Sequence, residues 1–594
     1  MNRQPHDSDS MADLRALLRG PNNAPMTTRA PVSHNRVQLA VTLIDKSGLP
    51  DDIAKWRAES AGPTVPFRRG RPPKVDDRAV LALIVLLAFE NSPLLVSNAA
   101  ALISYRLTDE SKALLGIDVD GTRYVDWYDR TWRALHRLLE VVDPFPINRA
   151  LGGTRRSAMT KEQFARVVAN RDPVECARRQ ERLDDLTNRL IEATHSLLPR
   201  DVRRRWKGNS SIDATKVATF GKRGTVKKSN FASIEPDAAF YKREGDHYVD
   251  EKRSKQGRGR DLVWAWEAHL VVQAANHPDE PATHPLLITA ISFDKPGHKI
   301  AANAMKLYTS MKQRGLPAGL VIADRAYLPG AKADELQLPL IALGHGSVHD
   351  YKITELGITG GHAGAIQVEG KFYCPSMPQP LIDATRDYRE GHITDEIRLE
   401  RVERRRRYEL RPKALPDADG AQRLMCPAVG PSATVDCPLR PRQTRPGRTR
   451  IADVPYHPDR ICTNNTSVTF PASVGAKFRQ SFPFGTAEWA GWYGLRNTIE
   501  SINGLAKDGS HGGLDDSTRR RVRGYAAQYL FTTLLAMAVN VRKIDAFLDQ
   551  ESTEVRIAAR EARRSRRRRR TESLTDYLPE DLGIAANDED PPAD

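Results

Sequence analysis

The chain is poor in cysteine, in aromatic residues and in long apolar runs. Five cysteines in 594 residues rule out a disulfide scaffold. Aromatic residues make up 7% and hydrophobic residues 40%, enough for real cores but low for a uniformly compact enzyme. The longest apolar run, Ala79–Phe89, is broken by Glu90-Asn91-Ser92-Pro93; it is too short to span a bilayer and reads as a buried helix. The first residues, Met1-Asn-Arg-Gln-Pro-His-Asp7, are polar with no apolar stretch behind them, so no signal peptide is expected. No Gly-rich loop of Walker type occurs, so ATP dependence is not expected. These absences point to a soluble, cytoplasmic protein without a membrane partner.

Acidic residues are outnumbered, 75 Asp+Glu against 91 Lys+Arg, for a net charge of +16. Arg dominates the basic set and suits bidentate phosphate contacts. A polyanion is therefore the expected partner, nucleic acid before membrane. The length suggests several domains. Residues 1–65 are rich in Pro, Asn, Asp and Ser and are expected to be mostly disordered. Arg68-Arg69-Gly70-Arg71-Pro72-Pro73-Lys74 resembles an AT-hook core, but for a single copy a charged linker whose prolines precede a helix is the favoured reading. Residues 66–200 read as helical, a candidate DNA-binding module. Residues 548–594 form a basic, then acidic, tail, with Arg563–Arg570 expected to be solvated.

Between these regions the pattern turns to strands. Ser211–Val217 alternates; Trp266–Gln273 and Pro285–Phe293 read as strands, Gly297–Arg314 as an amphipathic helix, and Gly319–Asp324 as a buried central strand ending in an acid. The 220–260 loop is long and basic. Residues 346–485 interrupt the scheme with short β-like pieces. Helices resume at Thr486–Asp508 and Arg519–Phe547.

Three acids stand out. Asp213 lies mid-strand, Asp324 closes the last strand, and Glu500 lies on the late helix. In a three-strand, helix, strand unit the first and last strands can lie side by side, bringing Asp213 and Asp324 together. A later helix packed on the sheet would add Glu500. Two charges about 4 Å apart repel by roughly 4 kcal/mol at an effective dielectric of 20, so such a group is tolerable around cations. Oxygen ligands favour Mg²⁺ or Mn²⁺, and two such ions suit phosphodiester cleavage. An Asp at a strand end is also a common cap or ion-pair partner, and Asp294 is an equally placed decoy.

Tyr493, Arg496, Glu500 and Lys507 fall at offsets 0, 3, 7 and 14. At about 100° per residue a continuous helix puts them, with Gly504, on one narrow stripe. They reproduce the Y-x2-R-x3-E-x6-K signature of DDE transposases of the insertion sequence four type. Ile212-Asp213-Ala-Thr-Lys216 and Val321-Ile-Ala-Asp324-Arg-Ala-Tyr327 are similar to the regions carrying that family's two Asp residues. The resemblance covers roughly residues 205–545. It implies an α/β fold: an RNase H-like mixed sheet flanked by helices (201–345 and 486–547), an N-terminal all-α DNA-binding module, and an irregular β-containing insertion (346–485). It also implies Asp213, Asp324 and Glu500 as catalytic ligands of two Mg²⁺ or Mn²⁺ ions, with Tyr493, Arg496 and Lys507 on DNA phosphates. The function implied is bacterial DNA transposition and recombination: cleavage at terminal inverted repeats and strand transfer into target DNA, by a dimer associated with the nucleoid. A DNA-binding descendant without catalysis, and a nuclease on the same fold that never joins strands, are the competing readings.

Gly504 either lets a DNA backbone approach between Glu500 and Lys507 or allows tight helix packing. Cys374, Cys426, Cys437 and Cys462 all fall in the insertion. They could hold a structural Zn²⁺, but the spacing is not C-x2-C and favours free buried thiols. His298 and His511 are read as structural rather than metal-binding.

Overall fold

The computed structural model describes residues 26, 28–61, 72–118, 122–146, 159–220, 230–241, 263–417, 419–440, 447–509 and 512–575, with the side chains of 61, 559 and 563–575 excluded. Arg68–Arg71 of the AT-hook-like segment and His511 lie outside them. The chain divides into two compact units, residues 1–543 and 544–594.

Among the described residues of the first unit, the N-terminal region is helical from His34. Helices α1 (His34–Ser47) and α2 (Leu49–Ala61) occupy the part of 1–65 expected to be disordered. Val37, Ala40, Val41 and Ile44 supply the reason: at i, i+3, i+4 and i+7 they form one buried face. Gly48, at φ 64°, ends α1 in the left-handed conformation that a Cβ disfavours. The apolar run becomes α3 (Asp77–Phe89), buried on all sides and capped by Asp76, whose carboxylate accepts from the Ala79 N–H at 2.7 Å. Helices α4 (Tyr124–Glu140) and α5 (Pro173–His195) complete the helical layer.

The sheet is mixed. Strands β1 (Ser210–Ala218), β2 (Ala239–Tyr241), β3 (Val263–Gln273), β4 (Ile288–Asp294), β5 (Leu320–Ala323) and β6 (Gly346–His349) take the order β3-β1-β5-β6, with β2 and β4 pairing with β3. β3 is antiparallel to β1 and β4, whereas β1, β5 and β6 run parallel. Helix α6 (Ile300–Gln313) links β4 to β5. Its Ala304, Leu307, Tyr308 and Met311 cover one face, meeting Ile212, Val271, Val321 and Ala323. Period-2 alternation sends Val217, Ala268, Leu270 and Val272 to the other face. There they share one core with α1, α3, α4 and α5 and with Ile499, Ile502 and Tyr529.

Of the stretch 346–485, Gly346–His349 joins the main sheet as β6, and the described residues after it build three small sheets. One is made of β7 (Ile358–His362), β8 (Ala365–Val368) and β9 (Lys371–Tyr373). A second joins β10 (Arg411–Pro412) and β11 (Gln422–Met425) to β14 (Val468–Phe470), and a pair joins β12 (Val435–Asp436) to β13 (Thr449–Arg450). Two further helices follow, α7 (Ala487–Gly494) and α8 (Asn497–Lys507), so the single helix expected over Thr486–Asp508 is interrupted. The last helix, α9, runs Tyr525–Thr575. Its backbone includes Arg563–Arg570, expected to be solvated and unstructured, in keeping with the helix propensity of Arg, Ala and Glu.

Candidate functional site

Strand register brings the first two acids together. The parallel β1–β5 ladder ends with Ile212 opposite Ala323, so the next residues on each chain, Asp213 and Asp324, lie abreast where β5 stops. Asp213 stays within β1, opposite Leu270 of β3. Asp324 also serves the turn that follows, accepting from the Ala326 N–H at 2.9 Å. Burial and the neighbouring Asp324 push the Asp213 carboxyl up to about 6, with Glu500 adding to the rise and Arg496 opposing it. Two acids sharing a half-buried site thus resist double ionisation.

Helix α8 lies over this pair because Ile499 and Ile502 are buried in the core shared with Leu270. That placement turns Asn503 onto the sheet, where its side-chain N–H donates to Asp213 Oδ2 at 3.0 Å. Asn503 was not foreseen; its signal was its position three residues after Glu500 and next to a buried Ile. Glu500, about half exposed, is held by Arg496 at 2.9 Å. Burial works against the Arg496 charge, but Tyr493, Glu500, Asp213 and Asp324 together hold its guanidinium above the ordinary range. Its buried Nε–H has no protein acceptor.

The four signature residues do not lie on one unbroken helical stripe. Leu495 and Arg496 donate to carbonyls three residues back, Trp492 and Tyr493. This tight turn separates α7 from α8 and changes the helical phase. Tyr493 stacks on Trp489, ring centroids 4.9 Å apart, and burial raises its phenol. Lys507 ends α8, seven residues and about 10 Å along the axis from Glu500. A Cβ added at Gly504 would meet nothing within 4 Å, so tight helix packing does not explain that glycine. The surface between Glu500 and Lys507 is open.

Behind the acids, Tyr327 is buried and bonds His269 Nδ1 at 2.7 Å, and burial lowers that imidazole to about 4. Glu267, also raised by burial and then by Asp213, Asp294 and Asp324, accepts from the Gly297 N–H at 2.8 Å. Neither group was foreseen, since both sit in a strand that reads as core. Asp294 takes the structural role. It receives the Lys295 N–H at 2.7 Å and contacts His298 Nδ1 at 3.0 Å, which accounts for His298 as well.

Among the described residues, no three His, Cys, Asp or Glu side chains stand close enough together to hold a metal ion as placed. The Arg496–Glu500 ion pair gives a reason at the acids: Glu500 is engaged beside Asp213 and Asp324 rather than with them. Among the described residues no helix is long and apolar enough to cross a membrane. Compared with protein-family models, curated proteins and solved structures, the chain finds no match.

Proposed function

We propose that the protein is a metal-dependent DDE transposase with an RNase H-like catalytic domain, acting on DNA at terminal inverted repeats and on target DNA. The observation that carries the reading is Asp213 abreast of Asp324 beneath a helix that presents Arg496 and Glu500. The first and last strands of the expected unit are neighbours in the mixed sheet, as the reading requires.

The chemistry of the three carboxylates suits a divalent ion, although as placed they do not group to hold one. Asp213 is destabilised by its acidic neighbours, a frustration that a hard cation relieves. Asp213, Asp324 and Glu500 would hold two Mg²⁺ or Mn²⁺ ions, which activate water and stabilise the departing 3′ oxygen in phosphodiester chemistry. Arg496 has a second task. A DNA phosphate competing for its guanidinium releases Glu500 to join the two Asp carboxylates, so substrate binding completes the site. Asn503 orients the Asp213 carboxylate by donating one N–H to its Oδ2. Lys507 meets the backbone further along as a point charge, and the open surface at Gly504 admits it. Tyr493, stacked on Trp489, would hydrogen-bond a phosphate beside Arg496.

Incubation with labelled DNA ends and Mg²⁺ or Mn²⁺ tests the reading. Cleavage followed by strand joining is expected, from a dimer on paired ends. Cleavage without joining would make the protein a nuclease, and binding alone would make it a non-catalytic descendant.

A further inference from the structure

The cysteines of the insertion lie far apart in sequence, and the fold gathers them. Cys374 follows β9, Cys426 follows β11, Cys437 follows β12, and Cys462 sits in a short helical turn, Arg460–Thr463. All are free thiols, Cys374, Cys426 and Cys462 being buried. Cys426 and Cys462 belong to one small apolar core and Cys374 to another, against which Cys437 packs. Every one of the six pairs among them lies within electrostatic reach.

The backbone around three of them repeats one device. Cys374, Cys426 and Cys437 each precede a proline, and each carbonyl accepts from the N–H three residues on: Met377 at 3.0 Å, Val429 at 3.0 Å and Arg440 at 2.9 Å. In two of these turns an N–H also points at sulfur, Ser376 to Cys374 and Ala428 to Cys426. Such turns present a thiolate with a donor already aimed at it, which stabilises a metal-bound sulfur. Arg440 then ties the Cys437 turn to the Cys462 turn. Its guanidinium donates to the carbonyls of Cys462 at 2.8 Å and Asn464 at 2.6 Å. It also lies beside Cys426 and Cys462, and Arg411 lies beside Cys426. Four thiolates around one divalent ion carry a net charge of about −2, which two guanidinium groups offset.

We propose that Cys374, Cys426, Cys437 and Cys462 form a structural Zn²⁺ site joining the two apolar cores of the 346–485 insertion. As the side chains stand, no three ligating groups among the described residues are close enough to hold an ion, so the sulfurs must draw in to Zn–S distances of about 2.3 Å. The four thiol protons leave as the ion binds. The need for such a tie is physical. The insertion's strands run two to five residues, and sheets that small bury too little surface to be stable by themselves.

Metal analysis of the full-length chain, purified without a His tag in the presence of Zn²⁺, tests this. About one Zn²⁺ per chain is expected. It should be released by an organomercurial in step with modification of four thiols, and Co²⁺ in its place should give thiolate charge-transfer absorption. Asp213→Asn should retain the zinc, which separates this site from the carboxylates and makes the result independent of the transposase reading. Less than 0.1 Zn²⁺ per folded chain with four reactive thiols overturns the proposal, as do two disulfides in the metal-free protein or loss of the zinc in Asp213→Asn. Cys437→Ser guards against misfolding of the buried variants. It should keep the fold and weaken zinc retention against a chelator at least tenfold, and unchanged retention would also overturn the proposal.

Discussion

At the residue scale the acids set opposing demands. Asp213 is raised from 3.8 to about 6. Below pH 4 the group is protonated in folded and unfolded chains and contributes nothing. Between about pH 4 and 6 the unfolded chain ionises first, so stability falls; the penalty is complete above pH 6. A shift of that size corresponds to about 3 kcal/mol, and water around a half-buried carboxyl leaves on the order of 1–2 kcal/mol. Asp213→Asn is therefore expected to raise the metal-free protein's stability at pH 7.5 by that amount, measured by urea unfolding, while abolishing cleavage. Mg²⁺ should stabilise the wild type and not this variant. Glu500→Gln is expected to abolish cleavage and keep DNA binding; equal cleavage would remove Glu500 from the site. Arg496→Ala separates the two tasks of the guanidinium. It should weaken DNA binding at least tenfold yet tighten Mn²⁺ binding in the absence of DNA, read by titration calorimetry, because Glu500 is freed.

At the element scale, α8 is the piece that couples packing to chemistry. Ile499 and Ile502 seat it on the sheet, so Ile502→Ala should cost about 2–4 kcal/mol and loosen Asn503 from Asp213. Gly504→Ala should do the opposite to stability. The added methyl meets nothing and removes a helix-weakening glycine, a gain of about 0.5–1 kcal/mol. If a DNA backbone passes there, the same variant loses cleavage despite its higher melting temperature. Unimpaired cleavage would reassign the open surface. The elements themselves were largely legible. The alternation in Ser211–Val217 and the apolar run ending at Asp324 gave β1 and β5, because period-2 patterning needs no tertiary information. The break at Leu495–Arg496 was not legible, since neither residue is a helix breaker. Helices α1 and α2 were missed because polar composition masked a narrow apolar stripe.

At the scale of the whole molecule, the charge of +16 bears on the proposal of a DNA partner. Affinity for DNA ends should fall by at least a hundredfold between 50 and 200 mM salt, as counterion release dictates for several phosphate contacts; a flat salt dependence would argue against a polyanionic partner. The sequence alone determined β1, β3, β4, β5 and the apolar helix α3, because side-chain periodicity and local backbone preference act over a few residues. It also singled out Asp213, Asp324, Arg496 and Glu500, through their resemblance to the signature and Asp regions of a transposase family. Only the tertiary structure decided that Asp213 and Asp324 stand abreast, that Asn503 reaches Asp213, and that the distant Cys374, Cys426, Cys437 and Cys462 come within electrostatic reach of one another. Those relations depend on strand register and on how separate cores close over one another, and contacts between residues a hundred positions apart leave no periodic trace along the chain.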